Sequence, residues 1–222
     1  MRSPFAPVHL LVFIVLLALL LAFVHVGILA IAFDKLGLSE NSAFLLLFAS
    51  LFGSAVNIPL FSIEALPGQT QEQPLSPSGL LRQPATPFTG RTIVAVNFGG
   101  CIIPFLFSLY LIIKYPLSIF ELLIGITLVS MISYFSSRPI PRLGIGMPIF
   151  VAPFTAVAIA LLLEGEFSAP FAYISGTLGV IIGADLFRLN DVRKLATPFA
   201  SIGGAGTFDG IFITGIVAVL LA

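Results

Sequence analysis

Asp185 and Asp209 are the residues of this chain best suited to chemistry, because both carboxyls fall within apolar stretches. A carboxylate at membrane depth costs several kcal/mol unless it is protonated, paired or facing water, so an aspartate there marks a functional site by default. Two such carboxyls held close together cannot both ionise easily, and they titrate as a pair that shares one proton. That arrangement suits peptide hydrolysis. The ionised member activates a water as general base, and the protonated member donates a hydrogen bond to the scissile carbonyl. Asn57, Pro59, Asn97 and Gly206 are candidate substrate-binding positions around the pair.

Other chemistries find little support. Cys101 is the single cysteine and lies in an apolar run, which excludes an intramolecular disulfide. His9 and His25 are far apart and lack a cysteine or carboxylate at ligand spacing, so no metal site and no cofactor is expected. No glycine-rich loop with a lysine is present to cradle phosphate, and no serine, histidine and aspartate converge at one depth. Ten basic and ten acidic residues cancel, which removes the overall charge that would attract nucleic acid.

The elements that must position the aspartates are set by composition. Hydrophobic residues make up 58% of the 222 and charged residues only 9%, a balance suited to lipid rather than water. Apolar stretches of spanning length recur at 8–33, 41–63, 92–113, 117–136, 143–163, 168–187 and 203–222. The expected fold is therefore all-α, a single polytopic transmembrane bundle of about seven helices over residues 1–222. The first stretch is too long for a signal-peptide core and reads as a retained helix. Turn chemistry marks the breaks: Asp34-Lys35-Leu36-Gly37 with Ser39 as N-cap, Lys114-Tyr115-Pro116, Arg138 to Arg142, and Glu164-Gly165-Glu166. The 64–91 connection holds five prolines and four glutamines, which predicts an extended loop.

Basic residues near helix ends stay on the cytoplasmic side. With the N-terminus inside, Arg2, Arg82, Arg91, Arg138, Arg142, Arg188, Arg193 and Lys194 are cytoplasmic and only Lys35 and Lys114 lie outside. At 1.5 Å of helix rise per residue, Asp209, Asn57 and Asn97 come out about 10 Å below the cytoplasmic edge, with Asp185 just inside it. Asp185 also stands three residues before Arg188, which suits a simple helix-end ion pair. Asn57 and Asn97 suit interhelical hydrogen bonding as well as ligand contact. Gly179-xxx-Gly183 and Gly206-xxx-Gly210 allow close helix approach, through which helices six and seven could bring the carboxyls together.

An aspartate late in a sixth helix and another in a glycine-rich seventh resemble the layout of the intramembrane aspartyl proteases, presenilin and signal peptide peptidase. The resemblance covers the last quarter of the chain and implies that Asp185 and Asp209 are the catalytic pair, acting on a transmembrane peptide. Ala184-Asp185 stands where that family has Tyr-Asp, and Gly206-Thr207-Phe208-Asp209 where it has Gly-x-Gly-Asp; its later Pro-Ala-Leu helix has no counterpart unless Asn57-Ile58-Pro59-Leu60 supplies a similar break. Over its whole length the chain more closely resembles a family of small prokaryotic membrane proteins known only as a domain of unknown function, on Gly183-Ala184-Asp185 and on Gly203 to Gly210. That likeness implies a multi-pass protein of the cytoplasmic (inner) membrane, with the lipid bilayer as its first partner.

Two further classes fit the same residues. In an ion-coupled transporter or channel, broken helices put polar groups near mid-membrane. Asn97-Phe98-Gly99-Gly100 with Pro104, and Gly144 to Pro148 with Pro153, are expected to kink or unwind helices three and five. A non-catalytic subunit or assembly factor needs only lipid-facing helices and the Pro/Gln loop. The sequence leaves the substrate and the oligomeric state open.

Overall fold

A computed structural model describes residues 27–66, 90–140, 144–204 and 210–222. Asp209, Gly206, His9 and His25 lie outside the described residues, as do most of the first apolar stretch and of the Pro/Gln connection.

The chain is mostly helical, with two small sheets. Helix α1 is described over Gly27–Lys35, and α2 (Glu40–Gly53) leaves it at 110°. Strands β1 (Asn57–Glu64) and β2 (Arg91–Asn97) follow, then a π-helical turn (Phe98–Ile102) that runs into α3 (Ile103–Lys114) and α4 (Ile119–Ser136). A short ribbon, β3 (Arg138–Ile140) and β4 (Gly144–Gly146), precedes α5 (Val151–Leu163). Helix α6 (Ser168–Val180) ends in a second π-helical segment, Ile181–Leu186. A 3-10 turn (Leu189–Lys194), strand β5 (Phe199–Ile202) and α7 (Gly210–Leu221) complete the chain.

Among the described residues, Ile119–Ser136 and Ser168–Leu186 are long and apolar enough to cross a membrane, and the bent α1–α2 pair passes the same test taken together, as a broken span or a re-entrant loop. The expectation of an all-α bundle of seven spanning helices is corrected at three places. Stretch 41–63 is a helix only to Gly53, stretch 92–113 begins as a strand, and stretch 143–163 carries β4 and is helical only from Val151. Isoleucine, valine and threonine in Thr92-Ile93-Val94-Ala95-Val96 favour extended backbone, and a buried strand is as continuously apolar as a membrane helix. The helical depth placing Asn57 and Asn97 therefore does not apply. Other local expectations hold. Ser39 N-caps α2, the Asn97-Phe98-Gly99-Gly100 segment is irregular, and Gly144 to Pro148 lies outside regular helix before α5.

Helix α6 is the centre, buried at every residue from Ala169 to Ile181. Phe171, Tyr173 and Ile174 share a core with Phe107 of α3, Val129 of α4, Ala156 of α5 and Ile216 of α7. Without a hydrophobic force between helices in lipid, such contact depends on small residues that let backbones meet. A methyl group on Gly183 would collide with the Ser130 carbonyl of α4, and one on Gly179 would lie 2.5 Å from Val129 Cγ1. The Gly179-xxx-Gly183 seam thus serves α4, whereas α7 docks through Gly176, facing Thr214, and Gly215, facing Tyr173.

The opposite end of the bundle is tied by lysines. Lys35 donates to the carbonyls of Val219 and Leu220 at the end of α7, and Lys114 donates to those of Leu36 and Gly37 in the α1–α2 corner. A cation at a helix C-terminus meets both the orphan carbonyls and the negative end of the dipole.

The Gly183 contact can be checked directly. Gly183→Ala should destabilise the protein by about 2 kcal/mol or more, the usual cost of overpacking against backbone. Gly165→Ala, where a methyl meets nothing within 4 Å, should leave it within about 0.5 kcal/mol. Reversible unfolding in detergent compares the two, and equal stability would refute the tight α4–α6 seam.

Candidate functional site

Asp185 sits in the π-helical continuation of α6. π-Helical turns are rare, shift side chains out of α register and occur often at functional sites. The residue is half-buried, with its Oδ2 shielded from solvent. Its main-chain carbonyl accepts from the N–H of Arg188 at 3.2 Å.

Arg188 is engaged with α4 and Asp191. Its guanidinium donates to the carbonyls of Tyr134 (2.6 Å) and Ser137 (2.8 Å), to Ser137 Oγ (3.2 Å) and to Asp191 Oδ2 (2.8 Å), and it lies 4.2 Å from the centre of the Tyr134 ring. These bonds satisfy carbonyls at the C-terminal end of α4 and fasten it to the end of α6. Lys194 also donates to Asp191, and hydrogen bonds from Lys194 and then Arg188 hold that carboxyl below the usual aspartate range.

A second polar cluster lies at the end of the three-stranded sheet, whose order is β1-β2-β5. Antiparallel pairing of β1 with β2 sets Asn57 opposite Asn97. Asn97 is fully buried: its Nδ2 donates to Ser54 O (2.7 Å) and to Asn57 Oδ1 (3.0 Å), and its Oδ1 accepts from Gly100 N (2.7 Å). Ser201 of β5 donates to the same Asn57 Oδ1 at 2.7 Å. The two asparagines thus join the end of α2, all three strands and the first π-helical turn. Pro59 lies exposed on β1 beside a register irregularity, where an edge strand tolerates a residue without an N–H.

β5 runs parallel to β2 and, among the described residues, pairs on that side only. It leads to Gly203 at φ 82°, in the left-handed region glycine adopts readily. A methyl there would lie 2.6 Å from Cys101 Cβ. One apolar cluster joins Val94 of β2, Cys101, Val180, Ile181 and Ala184 of the α6 end, Ile202 of β5 and Ile211 of α7. Helices α6 and α7 run antiparallel, since Gly176 faces Thr214 and Ser168 Oγ donates to Ala222 O. Continued by one turn, that register sets Gly210 level with Val180 and Ile181.

The structure therefore brings Asn57 and Asn97 together and places Asp185 on the π-helical end of α6, whereas Asp209 and Gly206 lie outside the described residues. Sequence reasoning missed Ser201, Ser54 and the Arg188–Asp191 tie. Only the polar Arg188-Leu189-Asn190-Asp191 run after a long apolar helix hinted at the last of these.

The chain belongs to the family described as Protein of unknown function (DUF1614). The match covers residues 51–221, from the end of α2 through α7, and so includes both polar clusters. No curated protein and no solved structure matches the chain. Membership in this family carries no assigned activity, so the chemistry must be argued from the residues.

Asp191 gives a pH-dependent test of the tie between α4 and α6. A carboxyl held below its unfolded value of 3.8 stabilises the fold above that pH, and the contribution is lost as pH falls through the lower folded value. Asp191→Asn should therefore be less stable than wild type at neutral pH, with the two thermal-unfolding curves converging once the pH is well below 3.8. A constant difference across this range would show that the charge on Asp191 is not what binds Arg188 and Lys194.

Proposed function

We propose that this chain is a multi-pass protein of a prokaryotic cytoplasmic membrane that hydrolyses membrane-embedded peptides with Asp185 and Asp209, in the manner of presenilin and signal peptide peptidase. The observation that carries the reading is the antiparallel α6–α7 register. Asp185 closes α6 in a π-helical segment, Asp209 immediately precedes Gly210 at the start of α7, and both helix ends contribute to one apolar cluster. An aspartate pair there takes a proton from water on one carboxyl as the water oxygen attacks the peptide carbonyl. The other carboxyl supplies the proton that the departing amide nitrogen needs. The sheet supports a peptide substrate in particular. β5 precedes Asp209 in the sequence and has one unpaired side among the described residues, where an extended chain can add as a further strand. Asn57 and Asn97 serve this site by holding β5 through Ser201.

Asp185→Asn and Asp209→Asn should each abolish cleavage of a transmembrane peptide by the reconstituted protein, while thermal unfolding shows the fold intact. A neutral amide cannot act as the base. Ion-driven uptake by wild-type proteoliposomes with no peptide cut, and its loss in both variants, would replace the protease by a coupled carrier.

The topology is tested separately. A cysteine placed in the 64–91 connection should react with an impermeant maleimide only from the cytoplasmic side, and one near Ala222 only from outside, as the eight-to-two distribution of basic residues requires. The reverse pattern would overturn the orientation and leave the aspartate chemistry to be judged on the cleavage assay.

A further inference from the structure

The angle between α1 and α2 encloses a cavity of about 460 Å³, within the size range of small-ligand sites. Leu29, Phe33, Ala43, Phe44 and Leu47 contribute apolar lining, with the carboxylates of Asp34 and Glu40 beside them. Both acidic residues are exposed, which puts them at the mouth rather than the floor. Neither joins an ion pair among the described residues. The lysines at this end form no ion pair with them, since Lys35 is turned to the carbonyls of α7 and Lys114 to those of Leu36 and Gly37. No basic residue lines the cavity.

An apolar cavity with two carboxylates outside any ion pair at its mouth suits a ligand with a hydrocarbon tail and a cationic head. The bent α1–α2 pair passes the composition test for a broken span or a re-entrant loop, so the surrounding solvent on this reading is lipid, and lipid is the source of such a ligand. We infer that this cavity holds an acyl chain of a phospholipid whose ammonium headgroup is received by Asp34 and Glu40. A primary ammonium has three donors to share between two carboxylates, whereas a choline head has none and a glycerol head leaves the phosphate charge uncompensated. The inference is independent of the aspartate chemistry at the opposite end of the helices.

The test uses the full chain released from nanodiscs containing equal amounts of ethanolamine-, choline- and glycerol-headed phospholipids with the same acyl chains, with native mass spectrometry reading the retained lipid. The wild type should keep the ethanolamine-headed lipid preferentially. The double variant Asp34→Asn, Glu40→Gln alters two exposed side chains and should reduce that preference at least about threefold without changing the thermal midpoint. Leu47→Trp, which fills the cavity, should lower retention of all three lipids together. Equal retention of the three headgroups by the wild type, or an unchanged preference in the double variant, would overturn the role of the carboxylates. Retention unaffected by Leu47→Trp would overturn the site itself.

Discussion

Close approach of backbones to α6 is the constraint on which the rest of the structure depends. α3, α4, α5 and α7 all pack against this one helix, and for helices apolar enough to sit in lipid, hydrophobic exclusion does not drive such packing. Its neighbours are held by dispersion and by the fit of their surfaces, both of which fall steeply with distance. The glycines divide that task by face. Gly179 and Gly183 receive α4, Gly176 receives Ala156 of α5 and Thr214 of α7, and Gly215 of α7 receives Tyr173. Placing α4 against one face and α7 against another fixes which residues meet at the end of α6, where Asp185 stands.

The same end is reinforced by polar contacts that lipid would not supply. Arg188 satisfies carbonyls of α4 and is itself balanced by Asp191, so its charge is spent on fastening two helices. On the other side of this end, Asn97 caps the first π-helical turn and binds Asn57, which in turn receives Ser201. Buried polar groups must find partners, and the partners chosen here bridge elements far apart in the chain. The sheet is thus locked to the helices at the point where β5 turns toward α7.

Much of this was legible in residue types, and the failures have a common cause. Ser39, the break at Lys114 to Pro116, and the irregularity at Asn97 to Gly100 are local signals, and each was readable because capping and glycine chemistry act within a few residues. Helices α4 and α6 were readable from their unbroken apolar length. The strands were not. Ile58 to Ile63 and Thr92 to Val96 are apolar but for Ser62 and Thr92, and a nearly continuous apolar run cannot be assigned to strand or helix from periodicity. What decides for strand is pairing across the 64–91 connection and with β5, a long-range event that no local window contains. The small-residue spacing on α6 was likewise visible, but its division between α4 and α7 was not, because spacing marks a seam and says nothing of which helix fills it.

That error in element type altered the route to the site more than its membership. Counting 1.5 Å per residue along imagined helices set Asn57 and Asn97 at one depth, and the strands bring the same two side chains into contact for a different reason, the antiparallel register that pairs residue 57 with residue 97. A shift of that register by one residue would turn alternate side chains to the opposite face and separate the asparagines. Asn97 itself resists such a shift, because its side chain is bonded at once to Ser54, Asn57 and Gly100. The pairing of the strands and the satisfaction of one buried amide are therefore the same constraint seen from backbone and side chain. Ser201 extends it to β5, so the placing of the last strand rests on two asparagines whose first service is to the fold.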